Sequence, residues 1–135
     1  MKNRSELREI IIKVLYQTYI YDSAKIKYDI NEIIEELLDQ KQDFVTETVN
    51  KVKEKQTEIN KIANKYLKDW DIERLNKVDK AILSLGIYEL LYTNTPHIVS
   101  INEAIELSKK YSDEKVTKMI NATLDNIYHS EATDE

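Results

Sequence analysis

The chain has 135 residues, of which 41% are hydrophobic and 33% charged, and its formal net charge is −5 at pH 7. This length and composition fit one globular domain with a substantial core. Gly86 and Pro96 are the only glycine and proline, which excludes turn-rich sandwiches and barrels as well as glycine-rich phosphate-binding loops. The absence of cysteine excludes disulfides, iron–sulfur clusters and thiolate zinc sites.

The apolar pattern argues against a membrane or secretory segment. No stretch approaches the ~20 apolar residues of a membrane helix. Glu6 and Glu9 interrupt the start of the chain, where a secretory signal is apolar. We therefore expect a cytoplasmic protein that has no membrane partner.

Charged residues are segregated along the chain. Residues 1–13 carry a local charge of +2, residues 22–47 of −5 and residues 51–68 of +4. The ordinary interpretation of such runs is a set of solvated helix faces. The overall acidity argues against a protein that holds nucleic acid by bulk electrostatics alone.

Helical periodicity begins near the N-terminus. Apolar spacing predicts an amphipathic helix over residues 5–21, which Asn3 and Glu6 open with a capping box. A polar stretch follows, and a shorter apolar stripe at residues 30–38 predicts a second helix with Asp29 as its cap.

The middle of the chain continues this pattern. Residues 43–67 predict one long helix or two helices in near continuation, with a break at Gln56. Residues 70–75 form a short junction between two halves of the chain. The next helix, at residues 78–91, is the most apolar and is predicted to be central. Because Gly86 lies inside it, we expect a neighbouring backbone to pass close by.

The last third begins with a loop around Pro96. Ser100 and Glu103 match the S-x-x-E capping box and predict that a helix starts there. A final helix is predicted over residues 113–128. The sequence therefore predicts an all-α, single-domain protein, spanning residues 1–135, with about seven helices.

The residues do not form an enzyme signature. Pairs of carboxylates, such as Glu35 with Glu36, lie on water-facing helix positions, where nothing separates their pKa values. The two histidines, His97 and His129, do not form a zinc-binding pair. We predict no catalytic activity, no metal and no cofactor.

One flank of the first helix permits two interpretations. A turn of ~100° per residue places Arg8, Ile12, Tyr16 and Tyr19 beside one another. They could belong to a helix packed between two neighbours. Alternatively they form a binding strip, since tyrosine stacks on unpaired bases and arginine holds phosphates.

One flank of the last helix carries Lys115, Lys118, Met119 and Ala122. Lysines near a helix start are ordinarily surface residues. The same flank, beside the helix start, could instead bind a phosphate.

Several short sequence motifs along the chain resemble those of the bacterial transcription antitermination NusB family. Their order and spacing fit the family over nearly the whole chain. The longest match is the run Ile101 to Leu107. The other matching motifs are Val14-Leu15-Tyr16, Trp70, Arg74-Leu75, the run from Val78 to Leu83, Tyr88-Glu89-Leu90, Pro96, Asn121 and Leu124-Asp125.

The resemblance implies a fold of two packed helical bundles, here at about residues 1–68 and 70–128, with an acidic tail at residues 129–135. It also implies that the protein pairs with ribosomal protein NusE, binds boxA RNA, and loads onto the RNA polymerase elongation complex with other Nus factors to sustain ribosomal RNA transcription. The positions that match the family's RNA contacts are Lys2, Arg4, Arg8, Tyr16, Lys118 and Met119. Lys115 adds a further charge, and the partner face corresponds to Glu73 and Asp79.

The chain departs from the family pattern at both RNA-contact regions. Ser5 and Glu6 stand where further basic residues are common, and Met119 and Ala122 replace the usual phenylalanine and glycine. Two alternatives remain at this point. One is a helical targeting domain related to the N-terminal domain of cytosine-5 RNA methyltransferases, and the other is a scaffold that binds a basic protein without RNA.

Overall fold

The computed structural model describes residues 2–132, which form seven α-helices and no β-strand. The predicted all-α class is therefore confirmed. The helices are α1 (Arg4–Ala24), α2 (Ile30–Leu37), α3 (Asp43–Glu54), α4 (Gln56–Tyr66), α5 (Lys77–Tyr92), α6 (His97–Tyr111) and α7 (Glu114–Ile127). A 3-10 helix at Ile72–Arg74 precedes α5, and a π-helical turn at Tyr128–Ala132 follows α7. Within residues 2–132, no helix is long and apolar enough to cross a membrane.

Local capping signals determine where the first helices begin. The Glu6 N–H donates to Asn3 Oδ1 at 2.8 Å, and the Asn3 N–H donates to Glu6 Oε1 at 2.9 Å, which is the predicted capping box. Asp29 caps α2, as predicted, by accepting a backbone N–H bond. Helices α3 and α4 are separate and meet at Lys55, beside the break predicted at Gln56.

The start of α6 differs from the prediction. The helix begins at His97, with Pro96 at the N-cap position, and the predicted capping box at Ser100 is wrong. The Ser100 N–H donates to the Pro96 carbonyl at 3.1 Å, so this serine already lies inside the helix, where it is buried. Proline opens the helix one turn earlier because it has no N–H that needs a partner.

Helix α5 is the central helix, as its apolar sequence predicts. It packs against α1, α4, α6 and α7, and every residue from 79 to 87 is buried. A Cβ added at Gly86 would lie 2.9 Å from Leu124 Cδ1 on α7. The close neighbour of the glycine is therefore a side chain and not the backbone that we expect from the sequence.

One continuous hydrophobic core joins the N-terminal and C-terminal helices. The junction between them is fixed, because Ile72 is fully buried and its N–H donates to Asn64 Oδ1 at 2.9 Å. The division into bundles at residues 1–68 and 70–128 stays a prediction, since α1 packs against α5 as well as against α2 and α3.

The segment after α7 is docked on α4. The Glu131 carboxylate accepts bonds from the Tyr66 hydroxyl at 2.6 Å and from Lys65 Nζ at 2.9 Å, and these donors lower its pKa. Glu131 belongs to the acidic tail that the resemblance implies at residues 129–135, and it is held against α4 by these two bonds. Residues 133–135 of that tail lie outside the described residues.

Candidate nucleic-acid interface

Arg8 lies inside the protein. Its side chain is 6% exposed, and its Nε donates to both carboxylate oxygens of Glu89 on α5, at 2.9 and 3.1 Å. Nη1 lies 3.8 Å from a carboxylate oxygen of Glu103 on α6. Burial raises the pKa of Glu89, and the guanidinium opposes that shift. Arg8 therefore joins α1 to α5 and α6 with a charge that is already neutralised, and it does not form the exposed basic contact that the sequence led us to expect.

The rest of the strip predicted on α1 is only partly exposed. Ile12 and Tyr19 are 1% and 2% exposed, so the interpretation of a helix packed between neighbours is correct for them. Tyr16 differs, with 44% of its surface exposed. It borders a groove of about 330 Å³, which Val78 on α5 and Tyr111 on α6 also line.

Tyr111 is a residue of this groove that the sequence analysis missed. Its hydroxyl donates to the Glu9 carboxylate, which also accepts a bond from Lys110 Nζ at 2.6 Å. Bonds from Lys110 and Tyr111 lower the pKa of Glu9. No local pattern marks Tyr111, because α6 meets α1 only in the folded chain.

Two cations at the start of the chain are exposed and have no carboxylate partner. Neither Lys2 nor Arg4 makes an ion pair with another described residue. The Arg4 guanidinium instead lies over the ring of Phe44, 3.9 Å from its centroid. These charges are therefore available to an anionic ligand, unlike the charge of Arg8.

The basic flank of α7 is also at the surface. Lys115 and Lys118 are exposed, and Lys115 Nζ lies 5.6 Å from the centroid of the Trp70 ring. Met119 is half-buried and packs against the core. Among the described residues, neither lysine is paired with a carboxylate.

The two acids predicted for the partner face occupy different environments. Glu73 is exposed, and its carboxylate accepts bonds from Asn60 Nδ2 at 2.7 Å and Lys80 Nζ at 2.8 Å. Asp79 is 2% exposed and accepts a bond from the Ser112 hydroxyl. Burial raises its pKa. Asp79 therefore ties α5 to the end of α6, and it is not the exposed acid that the sequence led us to expect.

The exposed cations and the exposed ring of Tyr16 are groups that suit the binding of a nucleic acid. Unpaired cations contact phosphates, and exposed aromatic rings stack on bases. Across the described range, 2–132, no three histidine, aspartate or glutamate side chains converge as a metal site.

Comparisons with known proteins agree with the fold. The NusB family model matches residues 5–129. The transcription antitermination protein NusB of Bacillus subtilis is 39% identical over 130 residues, which cover 94% of this chain and 95% of that protein. NusB of Thermoanaerobacter pseudethanolicus is 37% identical over 138 residues, covering 98% and 95% of the two chains.

Solved structures give the same result. Thermotoga maritima NusB superimposes with a TM-score of 0.84 at 30% identity, covering 96% of this chain and 92% of that chain. A structure of antitermination factors NusB and NusE in complex with dsRNA contains a chain that matches with a TM-score of 0.77 at 26% identity, covering 93% and 96%. Since sequence and fold agree over nearly its whole length, the chain belongs to the NusB family of transcription antitermination factors, which are not enzymes.

Proposed function

We propose that this protein, together with ribosomal protein NusE, binds boxA-type single-stranded RNA and keeps ribosomal RNA transcription from terminating early. The observation that carries the proposal is the set of exposed cations without carboxylate partners at the start of α1 and on α7. A relative of similar fold, solved with NusE and double-stranded RNA, supports both kinds of partner. The complex acts in the cytoplasm, on the RNA polymerase elongation complex with other Nus factors.

The net charge explains why a partner is needed. With a formal charge of −5, the protein repels RNA at long range, and only local strips of cations attract it. A basic partner extends those strips and fixes the path of the RNA. Binding of RNA and partner is therefore cooperative.

The RNA contacts divide between the two ends of the chain. Lys2, Arg4 and Tyr16 contact RNA from α1, while Lys115 and Lys118 contact phosphates from α7. The groove beside Tyr16 is close to the start of α7, because its Tyr111 is four residues before Lys115, at most ~14 Å of extended chain. The two buried or half-buried members of the set, Arg8 and Met119, support this surface from below.

The partner contact involves the exposed acid Glu73. Its carboxylate remains half-exposed although Lys80 and Asn60 bind it, so it can accept a further bond from a basic protein. Asp79 contributes indirectly, because it holds the start of α5 in place through Ser112.

Lys118→Gln should weaken RNA binding in a salt-dependent way. Removing one phosphate contact makes the negative slope of log affinity against log salt shallower by about 0.7 for a single strand. Titrations of labelled boxA RNA in the presence of NusE, at several salt concentrations, measure this slope. Lys27→Gln is the matched control, since Lys27 follows the opposite end of α1, and it should leave the slope unchanged. Equal slopes for both variants would remove Lys118 from the interface.

A pull-down from a cell lysate tests the proposed function as a whole. The tagged chain should retain NusE and the ribosomal leader RNA together, and nuclease treatment should release the RNA. Retention of NusE without RNA, combined with no salt-dependent RNA retention on filters, would favour a scaffold that binds only protein and would contradict the proposal.

A further inference from the structure

The Ser100 side chain carries a buried hydroxyl that no other part of the protein bonds. Ser100 is the fourth residue of α6 and is 1% exposed. Within residues 2–132, its Oγ is the one buried side-chain nitrogen or oxygen that has no hydrogen-bond partner. A buried hydroxyl without a partner costs free energy, and nearly all such groups in native proteins are bonded to protein or to ordered water. The position of Ser100 therefore favours a partner that is not a protein atom.

Ser100 lines a small cavity, of about 10 Å³, between α1, α5 and α6. The polar part of its lining comes from Arg8, Glu89, Ser100 and Glu103, and the rest of the wall is apolar. Burial raises the pKa of Glu89, and the Ser100 hydroxyl, which lies near that carboxyl, opposes the shift. A cavity of this volume admits about one water molecule and nothing larger.

A gap in the ion pairs beside the cavity has the width of a water bridge. Arg8 Nη1 and Glu103 Oε1 lie 3.8 Å apart, which is longer than the ~3.2 Å of a good hydrogen bond. In the part of the chain that the structure describes, Arg8 donates hydrogen bonds only through Nε, to Glu89. A polar contact at this separation is one that water can bridge. Nη1 and Oε1 therefore each have room for one further bond.

We propose that this cavity binds one ordered water molecule, which accepts a bond from Arg8 Nη1, donates one to Glu103 Oε1 and shares one with the Ser100 hydroxyl. Three bonds are the usual number for a buried water. Water suits the cavity better than a metal cation, because the guanidinium of Arg8 repels a second positive charge. Among the lining residues only Glu103 is not buried, so the water exchanges with solvent past that side chain.

The water stabilises the contact between α6 and the first turn of α1. The other carboxylate oxygen of Glu103, Oε2, accepts a bond from the Ser5 hydroxyl at 2.9 Å. Glu103 is therefore held at both oxygens, by Ser5 on one side and by the water on the other. Ser5 follows Arg4 directly, so this site fixes the turn of α1 that carries an exposed cation.

Ser100→Ala should have effects of opposite sign with and without the water. If the hydroxyl bonds to water, its removal should lower the folding equilibrium constant about fivefold, the net contribution of one hydrogen bond. If the hydroxyl is unbonded, its removal relieves an unsatisfied group, and the constant should rise. Urea denaturation of the full chain measures this constant.

Ser108→Ala is the matched control. Ser108 is buried in the same helix, and its hydroxyl bonds to that of Thr117 at 2.7 Å. Because both variants replace serine by alanine within α6, the helix preference of alanine affects them alike. The proposal predicts that Ser100→Ala loses stability as Ser108→Ala does, and a gain in Ser100→Ala would overturn it.

A crystal structure of the full chain, at a resolution that shows ordered waters, locates the molecule directly. We expect a density peak within hydrogen-bond distance of Ser100 Oγ, Arg8 Nη1 and Glu103 Oε1. A cavity without density, or a Ser100 hydroxyl bonded directly to Glu89, would contradict the proposal. If Ser100→Ala does not fold, the density in the unaltered protein decides. Neither measurement contains RNA or NusE, so its outcome is separate from that of the proposed function.

Discussion

Replacing Arg8 with alanine should lower the free energy of unfolding by about 3–5 kcal/mol, because the substitution leaves the buried Glu89 carboxylate without its counter-charge. Urea denaturation at neutral pH measures this loss. Arg4→Ala is the matched control, since Arg4 lies on the same helix but is exposed and unpaired. It should change the free energy of unfolding little and should weaken RNA binding.

The loss in Arg8→Ala should depend on pH. Burial already raises the pKa of Glu89 above its ordinary value of 4.5, and removing the guanidinium raises it further. A carboxyl group with a raised pKa in the folded state favours folding below its unfolded pKa and loses that contribution as the pH rises. The difference between Arg8→Ala and the unaltered protein should therefore shrink as the pH falls towards 4.5, and it should be smallest below that value. A small, pH-independent loss would show that Arg8 is not a structural residue.

The second large effect concerns the contact between α5 and α7. Leu124 is fully buried, and its Cδ1 occupies the space above Gly86. Leu124→Ala should lower the free energy of unfolding by about 3 kcal/mol, because it removes packing and leaves a cavity. Thermal and urea denaturation measure the loss.

A double substitution tests the geometry of this contact. In Gly86→Ala alone, the new methyl group would meet the Leu124 side chain at 2.9 Å, which offsets the gain of about 1 kcal/mol that alanine brings to a helix. With Leu124→Ala also present, the methyl group enters free space, so the double variant should be about 1 kcal/mol more stable than Leu124→Ala. Strictly additive effects would contradict the close approach of the two side chains.

The sequence predicts local features of the fold well. The capping box at Asn3, the cap at Asp29 and the break near Gln56 depend on residues within a few positions of one another, and all are found in the structure. The start of α6 was not predictable from the same rule, because Pro96 offered a competing start one turn before Ser100.

Burial of charged residues depends on partners that are distant in the chain. Arg8 pairs with Glu89, 81 positions away, and Asp79 bonds to Ser112, 33 positions away. Helical spacing places Arg8 on a flank but cannot say which helix covers that flank. The sequence alone therefore groups Lys2, Arg4 and Arg8 as one basic cluster. The structure divides this cluster into two exposed cations, Lys2 and Arg4, and one buried ion pair formed by Arg8.

In the candidate site too, some features can be predicted from the sequence and others depend on contacts between distant helices. The resemblance to the family leads us to expect RNA contacts on both α1 and α7. The groove beside Tyr16 is formed by residues from separate helices, such as Val78 and Tyr111, and no local pattern marks it. Tertiary packing creates this groove, so it emerges only from the structure.

The central claim is that an acidic helical protein becomes a tight RNA binder only when a basic partner joins it. The most direct measurement is the affinity for fluorescent boxA RNA, titrated with this protein in the presence and absence of NusE, with NusE alone as the control. Our account predicts much tighter binding by the two proteins together than by either one. Equal affinity with and without NusE would contradict it.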